Sequence, residues 1–87
     1  MLRAEIILDE TARFHARPAA LIAEAAQKFE SMICIEGEGV FADCKKFLSV
    51  MKIRVPSTGI LEIVTEGSDE RDAMSEIEYI IKNMYWR

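Results

Sequence analysis

The residues with the clearest chemical character are FHARP at positions 14–18, which include the only histidine of the chain. Pro18 has a φ angle near the helical value and lacks the N–H that the first turn of a helix leaves unbonded. This predicts the start of a helix, with His15, Ala16 and Arg17 at or just before its N-terminus. Unbonded N–H groups at a helix N-terminus bind anions, and a guanidinium matches the geometry of phosphate.

These residue types suit phosphoryl transfer. A neutral imidazole nitrogen is a nucleophile that can take a phosphoryl group, and the N–H groups with Arg17 can stabilise the transferred charge. The bland alternative is a surface histidine, or one that caps the helix. The sequence has no second histidine, no glycine-rich phosphate loop and no arrangement of residues typical of hydrolysis. The residues alone leave both interpretations open.

The candidates for metal ligands are few. Cys34 and Cys44 stand ten residues apart, which matches no zinc pattern, and we expect free thiols that are buried or half-buried. Glu36 and Glu38 flank turn glycines, which favours solvated carboxylates. No metal site and no cofactor is predicted.

The chain has 87 residues, which predicts one domain over 1–87. Its net charge of −4 argues against nucleic acid as the main partner. No apolar run approaches the roughly 20 residues that cross a bilayer, and the N-terminal apolar stretch is too short for a signal peptide, so we expect a cytoplasmic protein without membrane insertion. Basic residues gather in the first two thirds of the chain, which indicates either a local basic face or an ordinary solvated surface; among them are Arg13, Arg17, Lys45, Lys46, Lys52 and Arg54.

Hydrophobic periodicity predicts seven elements. The strands are expected at 2–8, 32–36, 40–44 and 60–66, and the helices at 18–29, 45–54 and 67–86. Asp43 is the expected N-cap of the short second helix, and Ser68 and Asp69 cap the third. The third helix has an apolar stripe of Ala73, Met74, Ile77, Ile80, Ile81 and Met84. The order β-α-β-β-α-β-α predicts an α+β open-faced sandwich, in which three helices cover one face of a four-stranded antiparallel sheet.

The stretch FHARPAALIAEAAQKF resembles the active-site strand, loop and helix of HPr, the histidine-containing phosphocarrier of the bacterial phosphotransferase system. The family's pattern of an apolar residue followed by His-Ala-Arg-Pro-Ala is matched at 14–19. The resemblance spans essentially the whole chain: EGEG falls at the family's hairpin, CKKFLSVM at its short helix and EGSDERDAM at the entry to its last helix.

The resemblance implies a role for each matching residue. His15 would accept a phosphoryl group on Nδ1 from phosphorylated Enzyme I and pass it to a sugar-specific IIA component. Arg17 would hold the phosphoryl oxygens, and the backbone of Ala16 and Arg17 would contribute amides. The carrier itself would need no metal or cofactor.

The short second helix is the expected docking surface for both partners. Phe47 and Met51 should point at least partly outward and Leu48 inward. The basic residues around them would steer acidic partners; they are Lys45, Lys46, Lys52 and Arg54.

The sequence also departs from the family pattern. Lys46 occupies the position of the regulatory serine of many Gram-positive members, and Arg54 stands where glycine is usual. These departures favour an alternative, an HPr-like regulatory module that binds a transcription factor or enzyme with little phosphoryl turnover. A nucleic-acid-binding domain is a third class, disfavoured by the charge and by the lack of stacking aromatics on a basic strand. Trp86 is expected at the sheet edge, at the helix end or in an unspecified contact.

Overall fold

The computed structural model describes residues 1–9 and 12–83. The predicted order of elements is confirmed: β1 Leu2–Ile7, α1 Ala16–Ala26, β2 Met32–Gly37, β3 Val40–Asp43, α2 Phe47–Met51, β4 Ile60–Glu66 and α3 Glu70–Asn83. Met84 and Trp86 lie outside the described residues, so the predictions made for them stay predictions. No described helix combines the length and the apolar character that a bilayer crossing requires.

The four strands form one antiparallel sheet in the order β1-β4-β2-β3. Side chains alternate between its two faces, because successive residues of a strand point in opposite directions. Ile33 pairs with Thr65 and Ile35 with Ile63, and all four are fully buried beneath the helices. The predicted antiparallel sheet with helices on one face is confirmed.

The long helices close the core with the apolar stripes that their periodicity predicted. Ile22 of α1 and Ile77 of α3 are fully buried, and both belong to the single core cluster with the inward residues of the sheet. Burial of each such side chain stabilises the fold by about 1.5–3 kcal/mol. Of the predicted α3 stripe, Ala73, Met74, Ile77 and Ile81 are buried and Ile80 is partly buried.

The helices differ in their bounds from the prediction, and α3 begins at Glu70 rather than at 67. The first helix begins at Ala16, so that Pro18 is its third residue, still within the turn whose N–H groups have no helical partner. The second spans only Phe47–Met51, and its N-cap is Lys46 rather than Asp43.

The prediction of Asp43 as an N-cap is wrong because Asp43 is the last residue of β3 and pairs with Cys34. Its Oδ1 accepts the N–H of Lys45 at 3.0 Å, and its own N–H donates to Oγ of Ser49 at 2.9 Å. These bonds form the turn that separates the strand from α2.

The start of α3 is tied to the end of α1. The carboxylate of Asp69 accepts the backbone N–H groups of Glu30 and Ser31, each at 2.9 Å, and also the Ser31 hydroxyl. The hydrogen bond from the Ser31 hydroxyl is the main cause of a lowered pKa of Asp69. The predicted capping side chain therefore bonds a distant loop, while its backbone carbonyl accepts the N–H of Ala73 at 2.9 Å.

The Asp69 contact predicts a loss of stability in acid. Because the folded state lowers the pKa of Asp69, its contribution is complete at neutral pH and disappears as the pH falls below about 4 and through the folded pKa. We expect Asp69→Asn to lower the melting temperature at neutral pH and to weaken its dependence on acid. Asp72→Asn, an exposed neighbour in α3, is the control for the loss of charge. Identical acid profiles for the two variants would contradict this account.

Gly59 fixes the end of β1, from which the chain runs to the FHARP stretch. The Leu8 N–H donates to the Gly59 carbonyl at 2.7 Å, and Gly59 has a φ of +74°. A Cβ at this position would collide with the Leu8 carbonyl oxygen. Glycine is therefore required here both by conformation and by space.

Both cysteines are free and buried, as predicted. Cys44 belongs to the core, and Cys34 is on the helix-free face of the sheet, in the same strand as Glu36. Burial is the main cause of a raised pKa for both thiols, so they stay protonated and weakly reactive at neutral pH. Within residues 1–9 and 12–83, no three potential ligands are grouped to hold a metal ion.

Candidate functional site

The FHARP stretch is anchored at both ends, with an exposed segment between them. Phe14 is 2% exposed and belongs to the core, and Pro18 is buried in the first turn of α1. The three residues between them are exposed. Sequence and core packing together therefore fix the backbone on either side of His15 while leaving its imidazole at the surface.

The imidazole of His15 has no bonding role within the described part of the chain. His15 is the N-cap of α1 with an extended backbone, φ −77° and ψ −173°, and its side chain makes no capping hydrogen bond. Its backbone carbonyl accepts the N–H of Ala19 at 3.0 Å, so the helix start depends on the main chain. The predicted helix N-terminus beside His15 is present.

The N–H groups that follow His15 are available to an anion. Among the described residues, the backbone N–H groups of Ala16 and Arg17 have no backbone acceptor. The first turn of α1, which is described throughout, contains no acidic residue. An anion on the imidazole would therefore meet unbonded donors and the positive end of the helix dipole.

A cleft of about 370 Å³ lies beside His15, between the segments 12–15 and 51–55. Its lining residues are Ala12, Arg13, Phe14, His15, Met51, Ile53, Arg54 and Val55. Arg17, exposed at the second position of α1, is not among them. The sequence indicated basic character at Arg13 and Arg54, but it contains no signal that would bring these two residues together beside His15.

The second helix exposes three apolar side chains. Phe47 is 38% exposed, Leu48 61% and Met51 40%. The outward placement of Phe47 and Met51 agrees with the prediction, and the inward placement of Leu48 is wrong. Val50 fills the inward position instead, and Leu48, two residues earlier in a helix of 3.6 residues per turn, lies on the opposite side.

The lysines of the predicted docking surface differ in whether their side chains are bonded within the protein. The Lys45 ammonium donates to the Phe29 carbonyl at 2.7 Å, and the Gln27 amide donates to the Lys45 carbonyl at 2.9 Å. Lys45 therefore joins α2 to the end of α1. Lys46 and Lys52 flank α2, are exposed, and have no ion-pair partner in the described ranges.

Leu21 of α1 is a further apolar residue at the surface, 49% exposed, and no docking role was predicted for it. The helical spacing of apolar residues in 18–29 predicts one stripe of Leu21, Ile22, Ala25, Ala26 and Phe29, but Leu21 is exposed whereas Ile22 is fully buried. The buried face of α1 is formed instead by Ile22 with small residues that include Ala19, Ala23 and Ala26. The docking role predicted for α2 and its lysines stays a prediction.

These features define a class of protein, a small α+β sandwich that presents one exposed histidine at a helix N-terminus. A family model described as "PTS HPr component phosphorylation site" matches residues 2–83. The phosphocarrier protein HPr of Treponema pallidum (strain Nichols) is 39% identical over 71 residues, which cover 82% of this chain and 81% of that protein.

Solved structures agree. HPr from Thermoanaerobacter tengcongensis has a TM-score of 0.80 and 29% identity, over 94% of this chain and 92% of that one. A histidine-containing phosphocarrier protein from Mycoplasma has a TM-score of 0.80 and 28% identity, over 92% and 91% of the two chains. The chain belongs to the HPr family of phosphocarriers of the phosphotransferase system, which confirms the resemblance seen in the sequence.

Proposed function

We propose that this protein accepts a phosphoryl group on His15 from phosphorylated Enzyme I, ultimately from phosphoenolpyruvate, and passes it to a IIA component in the cytoplasm. The observation that carries the proposal is the exposed His15 imidazole, which lies at the start of α1 and has no partner among residues 1–9 and 12–83. In the first step a nitrogen–phosphorus bond forms as the bond between phosphorus and the donor breaks. In the second, the bond to His15 breaks as the acceptor bonds to phosphorus.

The helix start supports both steps electrostatically. The N–H groups of Ala16 and Arg17 and the guanidinium of Arg17 would bind the phosphoryl oxygens. Stabilisation of the negative charge on these oxygens is the main requirement of phosphoryl transfer. Each hydrogen bond to a charged oxygen contributes about 1.5–3 kcal/mol. No metal or cofactor enters this scheme.

The exposed face of α2 is the proposed docking surface for Enzyme I and the IIA component in turn. It combines an apolar patch of Phe47, Leu48 and Met51 with a basic rim of Lys46 and Lys52, and Lys45 supports it from the side of α1. A small apolar patch with a polar rim is typical of protein–protein interfaces, and the lysines would steer acidic partners.

Leu48→Ala tests this surface. Because Leu48 is 61% exposed, we expect its truncation to leave the free energy of unfolding within about 0.5 kcal/mol of the original. Its affinity for Enzyme I should fall about tenfold, as expected for a contact worth ~1.4 kcal/mol. The measurement is isothermal titration calorimetry. Tyr79→Ala is the control, since Tyr79 is 67% exposed on α3. Equal affinities for the two variants would place the docking surface elsewhere.

Phosphoryl acceptance is tested by mixing the protein with Enzyme I of its own host, magnesium and phosphoenolpyruvate. The intact mass is then followed with and without a mild acid step. We expect an acid-labile gain of one phosphoryl group. The same Enzyme I must phosphorylate another HPr in parallel, so that an inactive donor is recognised.

A second candidate, an HPr-like regulatory module, is favoured by Lys46 at the N-cap of α2, where many family members carry a regulatory serine. No phosphoryl gain with active Enzyme I, together with tight binding to a transcriptional regulator, would support that alternative and contradict the carrier.

A further inference from the structure

Two arginines in the cleft beside His15 have no part in the transfer chemistry proposed above. Arg13 directly precedes Phe14, and Arg54 belongs to the segment that follows α2. The two segments form the walls of the cleft. Its volume of about 370 Å³ is several times the roughly 30 Å³ that one water molecule takes in the liquid. The cleft therefore has room for a phosphoryl group on the imidazole.

The positive charge in this cleft is not neutralised by the described residues. None of the residues that line it is acidic. Within 1–9 and 12–83, the guanidinium groups of Arg13 and Arg54 have no ion-pair or hydrogen-bond partner, whereas Arg3 bonds Glu36 at 2.8 Å on the helix-free face of the sheet. A chain with a net charge of −4 thus keeps a local cationic cleft at its histidine.

The backbone holds Arg54 in place beside the cleft. Ile53 is 7% exposed and its N–H donates to the Val50 carbonyl at 3.1 Å, which extends the end of α2. Pro56 follows two residues later and restricts the chain on the other side. The backbone of Arg54 is therefore restrained, which lowers the backbone entropy that an ordered contact with an anion would cost.

We propose that Arg54, across the cleft from His15, and Arg13, on the same wall as His15, form an anion subsite that holds the phosphoryl oxygens while the group resides on the imidazole. This inference rests on the proposed function, because it assigns residues to the phosphorylated form of the same histidine. The planar fork of a guanidinium can bond two phosphoryl oxygens at once. Arg54 would thus supply from the cleft side what Arg17 supplies from α1.

The test loads His15 without Enzyme I. Phosphoramidate transfers its phosphoryl group to an imidazole nitrogen: the new nitrogen–phosphorus bond forms as the bond to the amine nitrogen breaks, and ammonia leaves. The loaded protein is then titrated with acid, and the phosphorus NMR shift of the phosphohistidine gives the midpoint of its second ionisation. A nearby cation favours the dianion and lowers this midpoint.

Arg54→Gln is expected to raise the midpoint by about half a pH unit, as the loss of a charge interaction of ~0.7 kcal/mol would. The rate of acceptance from Enzyme I should fall about threefold to tenfold. Arg54→Lys should restore part of both effects, because a lysine keeps the charge without the fork. Arg71→Gln is the matched control, because Arg71 is exposed and lies far from His15. It is two residues from Asp69, whose side chain bonds Ser31 beyond the C-terminal end of α1, whereas His15 is at the N-terminal end.

An identical midpoint in Arg54→Gln and the unchanged protein would overturn the subsite. Inorganic phosphate added to the unloaded protein is the second probe, for a free anion. We expect weak binding that perturbs 12–15 and 51–55 and is lost in Arg54→Gln; binding unaffected by the substitution would also contradict the proposal. Loading by phosphoramidate but not by Enzyme I would contradict the proposed function, and the midpoint would still decide the subsite.

Discussion

His15→Ala is expected to abolish phosphoryl acceptance from Enzyme I while the fold stays intact. The imidazole is exposed and makes no capping hydrogen bond, and the bond from Ala19 uses the His15 carbonyl, which alanine keeps. Replacement of a capping Ser or Asn by Ala costs about 1 kcal/mol, so the loss here, where no such bond exists, should be smaller. Intact mass after incubation with phosphoenolpyruvate and Enzyme I measures acceptance, and thermal unfolding followed by circular dichroism measures stability.

Arg17→Ala is the companion of this variant, because it removes a stabilising group but keeps the nucleophile. We expect it to slow acceptance by about 10²-fold without eliminating it, which is the effect of removing one donor to a developing oxyanion. An unfolded His15→Ala protein would show that the histidine is structural. A His15→Ala protein that still gains a phosphoryl group would assign the chemistry to another residue.

Phe14→Ala is expected to reduce the free energy of unfolding by about 3–5 kcal/mol. Phe14 is 2% exposed in the core cluster, so its truncation removes buried contacts and leaves a cavity. The loss is a large part of the 5–15 kcal/mol that holds an ordinary domain together. It also releases one of the two anchors of the His15 segment, and the rate of phosphoryl acceptance should fall even where the protein remains folded. Urea denaturation measures the first effect and rapid-quench kinetics the second.

Phe41→Ala is the matched control, because it makes the same replacement at a residue that is 70% exposed on β3. It should change the free energy of unfolding by no more than about 0.5 kcal/mol. Phe14→Leu retains most of the buried volume and keeps the comparison informative if Phe14→Ala does not fold. Equal losses for Phe14→Ala and Phe41→Ala would mean that Phe14 does not anchor the site.

The long elements could be predicted from the sequence because their hydrophobic periodicity extends over many residues. The α3 stripe repeats from Ala73 to Ile81, and it is buried as predicted. The β4 pattern, in which Leu61, Ile63 and Thr65 face the helices, repeats over the whole strand. Both patterns depend on local geometry, and Ile80, which is only partly buried, is the one described member of the α3 stripe that departs from them.

The short second helix could not be predicted in the same way. It has five residues, too few for a periodic stripe, so its orientation is decided by neighbours distant in the sequence. The bonds from Lys45 to Phe29 and from Gln27 to Lys45 attach it to the end of α1. In the attached helix Val50 is buried and Leu48 is exposed, against the expectation from hydrophobicity alone.

The site likewise has a part that local sequence predicts and a part that depends on the tertiary fold. His15 and Arg17 are neighbours in the sequence, and their placement at a helix start follows from the Pro18 signal. The cleft between 12–15 and 51–55 is tertiary, since α1, β2, β3 and most of α2 lie between its two walls in the sequence. The Asp69 contact is tertiary as well, because Asp69 bonds residues that precede it by 38 and 39 positions.

The central claim is that His15 carries a phosphoryl group from one protein to another, and a single-turnover chase tests it most directly. The protein is loaded by Enzyme I and phosphoenolpyruvate, separated from both, and mixed in a rapid-quench device with a IIA component of its host. The intact masses of both proteins are followed over time, with buffer alone as the control for hydrolysis. We expect the loss of one phosphoryl group from this protein to match its gain by the IIA component, much faster than hydrolysis. A phosphoryl group that leaves only at the rate of hydrolysis, with every available IIA component of the host, would contradict the account.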